Sequence, residues 1–298
     1  MGRPPSVTRS SDPTVDTLFR TGRERADVSS QHDDGGALRY RERPTTVATD
    51  VGTGPTVVFA HGTLMDRTMF DPQLSALSDA YRCVAYDLRA RTDRYADEYD
   101  LADLADDYVA LLDGLGVESA VLVGMSMGGF TALRAAERHP DRVEGIVLVD
   151  SDAGVHSEAD REQYGALIER IKENGRPTPA SVEVAKHQLF GETTRETRPE
   201  LVEAWARKWH SYPGLAIHNE IASWLGRDDF TERARALDVP ALVTHGTEDT
   251  SIGMEEAEAT ADALGAALER IPEAGHSSNL ENPGATNAAL REFLGDVY

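Results

Sequence analysis

The sequence predicts an α/β fold: a mostly parallel sheet flanked by helices and interrupted once by an all-helical insertion. Three observations predict it. Short, continuously apolar, β-branched runs alternate with stretches of helical spacing. That rhythm stops after Asp150 and resumes at Pro240. The length, 298 residues, suits one large domain carrying a sizeable insertion.

In chain order, residues 1–36 are polar, rich in Ser, Asp and Arg, and end in DDGG, which reads as a disordered or loosely attached arm. Ala37–Pro44 alternates as a short strand does, and DVGTGP then reads as a Gly-rich turn. Thr56–Ala60, TVVFA, is apolar and β-branched, as expected of a parallel strand buried on both faces. A helical stretch containing DPQLSAL precedes the strand Arg82–Asp87. Leu101–Leu115 has apolar residues at helical spacing and stops at Gly116. Ala120–Gly124 is a strand, Gly128–His139 a helix ended by Pro140, and Ile146–Asp150 another buried strand. The segments GALIERIKENG, SVEVAKHQLF, LVEAWARKWH and LAIHNEIASWL then read as helices with no strand between them. Pro240–Gly246 restores the rhythm, followed by a helix through Met254–Leu264, the strand Ala267–Pro272 and a last helix, ATNAALREFL. The expected organisation is a core of residues 37–150 and 231–298 with a helical cap of residues 151–230.

Composition narrows the setting. The 52 acidic and 30 basic side chains give a net charge of −22. Phosphate binding needs clustered positive charge, so a nucleic-acid partner is not expected. No apolar run is long enough for a membrane span, and MGRPPSVTRSSDP has no secretory h-region, so the expectation is a cytoplasmic protein away from membranes. Cys83 is the one cysteine, which excludes an internal disulfide, a thiolate metal cluster and a CxxC redox pair. Lysine occurs only at Lys172, Lys186 and Lys208. An acidic surface nearly empty of lysine suits a salt-loaded cytoplasm, where screening quiets self-repulsion. A GC-rich genome would explain the arginine but not the charge.

The segment richest in chemistry is Gly124-Met125-Ser126-Met127-Gly128-Gly129, set between a buried strand and an amphipathic helix. That context is what the G-x-S-x-G pattern requires. A nucleophile on so sharp a turn takes a strained backbone, and side chains two residues to either side would collide, which Gly124 and Gly128 avoid. A serine hydroxyl needs a base, and the base an orienting acid. Asp249, in HGTEDT, and His276, in EAGHSSN, follow strands and fall on the same rim of the sheet as Ser126. The backbone N–H groups of Thr63 and Met127 are placed to bind an oxyanion. Asp150, ending the IVLVD strand, is the alternative acid.

Those stretches, with VVFAHGT, YDLR and AGHSSNLENP, resemble the α/β-hydrolase family, in its lidded branch of esterases, enol-lactonases and cofactor-free haloperoxidases. The resemblance runs from about Ala37 to the C-terminus. It implies an α/β-hydrolase fold with a helical cap inserted after the sixth strand, a Ser126–His276–Asp249 triad, and Thr63 and Met127 as the oxyanion hole. Where relatives usually read DLRGHGRS, this chain reads DLRARTDR, losing two glycine positions beside the expected pocket.

The other candidates are structural. His61 and His245 precede glycines after strands and are expected to serve loop backbone, Met125 and Met127 to pack, and Cys83 to fill a strand. The acidic run Asp97–Asp107 reads as a solvated helix face. Trp205, Trp209, Tyr212 and Trp224 either seat the cap or line the pocket. No HExxH or similar ligand spacing occurs, so neither metal nor cofactor is expected. The expected function is hydrolysis of a small ester or lactone through an acyl-enzyme. The alternatives are acyl transfer or perhydrolysis at the same site, and more remotely a ligand-binding protein without turnover. Serine at position 126 argues against the dehalogenase and epoxide-hydrolase branches, which use a carboxylate nucleophile.

Overall fold

The computed structural model describes residues 48–298. The arm 1–36 and the strand Ala37–Pro44 lie outside them. Seven strands form one sheet: β1 Ala48–Val51, β2 Thr56–Ala60, β3 Arg82–Tyr86, β4 Ala120–Met125, β5 Val143–Val149, β6 Ala241–Gly246 and β7 Ala267–Ile271. Their order is β1-β3-β2-β4-β5-β6-β7; β1 pairs antiparallel with β3 and every other pair is parallel.

Strand side chains alternate between faces, and the core divides accordingly. Val58, Ala60, Leu122, Ile146 and Leu148 join the helices α2 (Leu101–Leu115), α3 (Met127–Arg138) and α10 (Met254–Leu264). Val57, Phe59, Val121, Val123 and Val147 face the other way, onto α1 (Asp71–Leu77) and the C-terminal α12 (Pro283–Val297). All five residues of β2 are buried because β3 and β4 flank it and helices cover both faces, which is what TVVFA needs.

Between β5 and β6 the chain forms α4 (Glu158–Glu173), α5 (Pro179–Leu189), α6 (Glu192–Thr197), α7 (Pro199–Ser211) and α8 (Gly214–Leu225), then the short α9 (Thr231–Ala234). This helical insertion follows the fifth of the described strands. Among the described residues no helix is long and apolar enough to cross a membrane.

Two elements differ from the sequence reading. β1 overlaps the start of the segment read as a turn, and α6 joins the four helices read in the insertion. The acidic run stays on the surface, with Asp97, Asp103 and Asp106 about half exposed, but it is paired: Asp107 binds Arg89 at 2.5 Å, while Asp106 binds His139 at 2.7 Å and Arg138 at 3.1 Å.

The topology fixes where a site can form. The chain steps from β2 outward to β3, then crosses back to β4 on the other side of β2. Loops leaving the carboxyl ends of β2 and β4 therefore diverge, and the crevice between them is where open α/β sheets bind ligands.

Candidate functional site

Ser126 sits between β4 and α3 with φ +49° and ψ −113°, a conformation L residues rarely adopt. The turn is held from both sides: Ser126 N–H donates to Val149 O, and Ser126 O accepts from Gly129 N–H, Phe130 N–H and Ser151 Oγ. The flanking glycines are sterically required. A Cβ on Gly124 would lie 2.1 Å from Gly128 O, and one on Gly128 would lie 2.1 Å from Ala60 O. Both obstacles are backbone and cannot swing aside. Gly128→Ala is therefore expected to cost roughly 3 kcal/mol or more, seen as a melting temperature lowered by about 6–12 °C; an unchanged melt would mean that the elbow yields easily.

His276 and Asp249 reach Ser126 from the loops after β7 and β6. His276 Nε2 accepts from Ser126 Oγ at 3.0 Å, and His276 Nδ1–H donates to Asp249 Oδ2 at 2.7 Å. Asp249 closes a tight turn after β6, in which its Oδ1 accepts the N–H groups of Ser251 (2.7 Å) and Ile252 (3.1 Å). One oxygen is thus occupied by its own loop, and only the other is directed at the imidazole. Burial opposes a charged His276, but the carboxylates around it, Asp249 foremost with Asp150 and Glu281 behind it, hold the imidazole above its ordinary pKa.

Asp150, the alternative acid, does something else. Its two carboxylate oxygens accept Gly246 N–H at 2.9 Å and Ser278 N–H at 2.8 Å. It ties the loop carrying Asp249 to the loop carrying His276, and the hydrogen bond from His276 Nδ1 goes to Asp249 instead. Burial, with the nearby Asp249 charge, pushes the Asp150 carboxyl above the usual carboxylate range, against the pull of His245.

Glu281 braces the loop of His276 from the other side, a contact its sequence position did not suggest. Its Oε1 accepts the N–H groups of Gly275 and Ser277, one on each side of His276, and its Oε2 accepts Gly191 N–H from the insertion. No sequence signal marked it; the structure buries it at the end of the short helix α11 (Ser278–Glu281).

On the opposite wall lies the loop after β2. Gly62 presses on the elbow, so that a Cβ there would come within 3.1 Å of Ser126 Cβ. Among the described residues, no acceptor takes the N–H of Thr63 or of Met127. His61 accepts Leu88 N–H at Nε2 and donates from Nδ1 to Gly62 O, fixing one neutral tautomer. Burial lowers its pKa to about 4. His245 donates to Ile252 O at 3.0 Å. Both histidines serve loop backbone, as the sequence suggested. Asp150, His245 and Asp249 place ligand atoms within 4.8 Å of one another; the carboxylates accept protein donors and His245 Nε2 faces Ile252 O, while the buried His245 Nδ1 has no hydrogen-bond partner among the described residues.

Ser126 and His276 open into a narrow cavity of about 90 Å³, walled by Phe130, Leu167, Val182, Ile217, Trp209 and Trp224 among others. None of the described residues lining it is Asp, Glu, Lys or Arg. Of the four aromatics singled out in the sequence, Trp209 and Trp224 reach the cavity, and the insertion also contributes Tyr164 and His156, which the sequence did not single out. Trp205 stacks on Lys208, 4.0 Å from its ring centre, and Tyr212 lies 3.9 Å below the Arg91 guanidinium. Met125 and Met127 are fully buried, and Cys83 fills β3, where burial pushes its thiol up to about 12.

A family model for the alpha/beta hydrolase fold matches residues 55–283. Among solved structures, a thermophilic esterase from Thermogutta terrifontis, solved with malate bound, is 31% identical, with a TM-score of 0.80 over 85% of this chain and 93% of its own. A non-heme chloroperoxidase from Streptomyces lividans is 30% identical over 81% of this chain and 92% of its own length. The 3-oxoadipate enol-lactonase 1 of Acinetobacter baylyi is 26% identical, covering 77% of this chain and 84% of its own. With a match over most of its length, on a sheet and elbow of this geometry, the chain belongs to the α/β-hydrolase family.

Proposed function

We propose that this protein is a serine hydrolase of uncharged carboxylic esters or lactones, acting through Ser126, His276 and Asp249. The observation that carries the reading is the 3.0 Å contact from Ser126 Oγ to a base itself held by a carboxylate, beside two unengaged amides. Ser126 Oγ attacks the carbonyl carbon as its proton passes to His276 Nε2. Thr63 N–H and Met127 N–H stabilise the oxyanion, and Asp249 stabilises the imidazolium. Collapse expels the alcohol, which takes the proton from His276. Water, deprotonated by the same nitrogen, then attacks the acyl-enzyme; the acid leaves and Ser126 recovers its proton.

The substrate class follows from the cavity walls. With no lysine or arginine along them, a carboxylate on the acyl group would be buried without a standing counter-ion, which is costly. An enol-lactone of 3-oxoadipate retains such a carboxylate, and malate carries two, so neither ligand named for the relatives transfers to this chain. A butyrate ester is expected to exceed the corresponding hemisuccinate ester in kcat/KM by roughly 100-fold, or ~2.7 kcal/mol. Equal rates on the two would sink the substrate class, and no turnover on any ester or lactone tested would sink the hydrolase reading. The similarity to a chloroperoxidase supports a second outcome, in which peroxide replaces water at the acyl-enzyme; the ratio of peracid to acid formed with hydrogen peroxide present decides between them.

A further inference from the structure

The loop that offers Thr63 N–H continues into Leu64, which has φ +64°, in the left-handed region. A branched side chain holds that conformation only where its surroundings over-determine it. Within the loop, Met65 N–H donates to Gly62 O at 3.1 Å and closes a turn around Thr63 and Leu64; the bonds to Leu64 itself come from the helical insertion. Leu64 N–H donates to Glu220 Oε2 on α8 at 3.1 Å, and Leu64 O accepts from Trp209 Nε1 on α7 at 2.9 Å.

Glu220 is buried, with no exposed side-chain surface, and its counter-ion is Arg91, 2.8 Å away and 4% exposed. Arg91 stands in DLRARTDR, at the histidine position of the family pattern, with Ala90 and Thr92 replacing the two glycines. Its guanidinium also donates from Nε to Met65 O at 2.9 Å and covers the Tyr212 ring. Two consecutive residues of the oxyanion loop, Leu64 and Met65, are therefore held by one buried ion pair that joins the β3 loop to α8. The departure from the family pattern is what supplies this pair.

We propose that Glu220 is a positioning residue for the oxyanion donor Thr63 N–H, with Arg91 as its counter-ion, so that helix α8 takes part in stabilising the tetrahedral intermediate. The proposal rests on the reading of Ser126 as nucleophile. Glu220 does not touch the substrate; it fixes the peptide that follows the donor. Oxyanion stabilisation depends on donors being in place before charge develops, so a loosened loop loses rate and not binding.

Removing Glu220 alone would strand a buried guanidinium and report on folding. The full-length Arg91→Met/Glu220→Met variant avoids this, because well-packed apolar side chains replace buried ion pairs at little cost, while Leu64 N–H loses its acceptor. On a neutral ester that the wild type cleaves, kcat is expected to fall roughly 10- to 100-fold, with KM within twofold and the acid limb of the pH profile unmoved. Arg91→Met/Glu220→Gln returns a neutral acceptor to Leu64 and is expected to recover most of kcat. A folded Met pair with wild-type kcat would overturn the proposal, as would a change confined to KM or a failure of Gln to rescue. Should the Met pair fail to fold, the Arg91→Met/Glu220→Gln variant decides alone: kcat near wild type upholds the acceptor role, and a 10-fold loss rejects it. A wild type inactive on all esters would overturn the Ser126 reading itself, which separates the two failures.

Discussion

Ser126→Ala is expected to lower kcat on a neutral ester by about 10⁵-fold while leaving the fold intact. The Ser126 side chain makes one hydrogen bond, to His276. The elbow is held by Ser126 N–H and O, which bond to Val149, Gly129, Phe130 and Ser151 whatever side chain is present. A fluorophosphonate should label wild type once per chain, at Ser126, and leave the alanine variant untouched, as read by intact mass and peptide mapping. Near-normal turnover by Ser126→Ala would end the nucleophile assignment. Ser126→Gly sharpens the test, because φ +49°, ψ −113° costs an L residue energy that glycine does not bear. That variant is expected to be equally inactive yet more stable by about 1–2 kcal/mol, which would show that strain is maintained at this residue at the expense of stability.

How much of this was legible in the sequence depends on the range over which each residue acts. The elbow was legible because all its constraints are local: strand, Gly124, Ser126, Gly128 and helix are contiguous. Asp249 and His276 were legible as loop residues at carboxyl strand ends, but Asp150 ends its strand on the same rim. Only the bonds of Asp150 to Gly246 and Ser278, with His276 directed at Asp249, separate the two carboxylates. β1 was missed because a four-residue edge strand, ATDV, is half exposed and carries no apolar alternation. α6, ETTRET, buries only Thr194 and shows no helical periodicity. Arg91 and Glu220 are 129 residues apart in sequence, and nothing near either announces the other. The one trace was negative, the two missing glycines of the β3 loop, whose consequence appears only when α8 is placed beside it.

Asp249→Asn is expected to cost roughly 10⁴-fold in kcat/KM, more than the loss of one charge, because of how this carboxylate is seated. Oδ1 accepts two backbone N–H groups and Oδ2 accepts His276 Nδ1–H, so both oxygens must be acceptors. Asparagine has one acceptor and one donor. Keeping its oxygen on Ser251 and Ile252 turns its NH₂ toward Nδ1, which then has to be bare. The proton moves to Nε2, and the imidazole faces Ser126 Oγ with a donor where the reaction needs a base. The pH profile carries a second signature. The rate requires neutral His276, so kcat/KM rises with pH through its pKa, and in wild type Asp249 places that rise above the ordinary imidazole value near 6.5. Without the carboxylate, burial acts with less opposition, and the residual activity of Asp249→Asn should rise at lower pH than that of wild type. Measuring kcat/KM from pH 5 to 9 for wild type, Asp249→Asn and Asp150→Asn separates the two carboxylates. An acid limb moved by Asp150→Asn and untouched by Asp249→Asn would transfer the orienting role to Asp150. The larger shift is expected from Asp249→Asn, because Asp249 is hydrogen-bonded to the imidazole, while Asp150 holds the two loops together through their amides and raises the His276 pKa only by the smaller pull of its nearby charge.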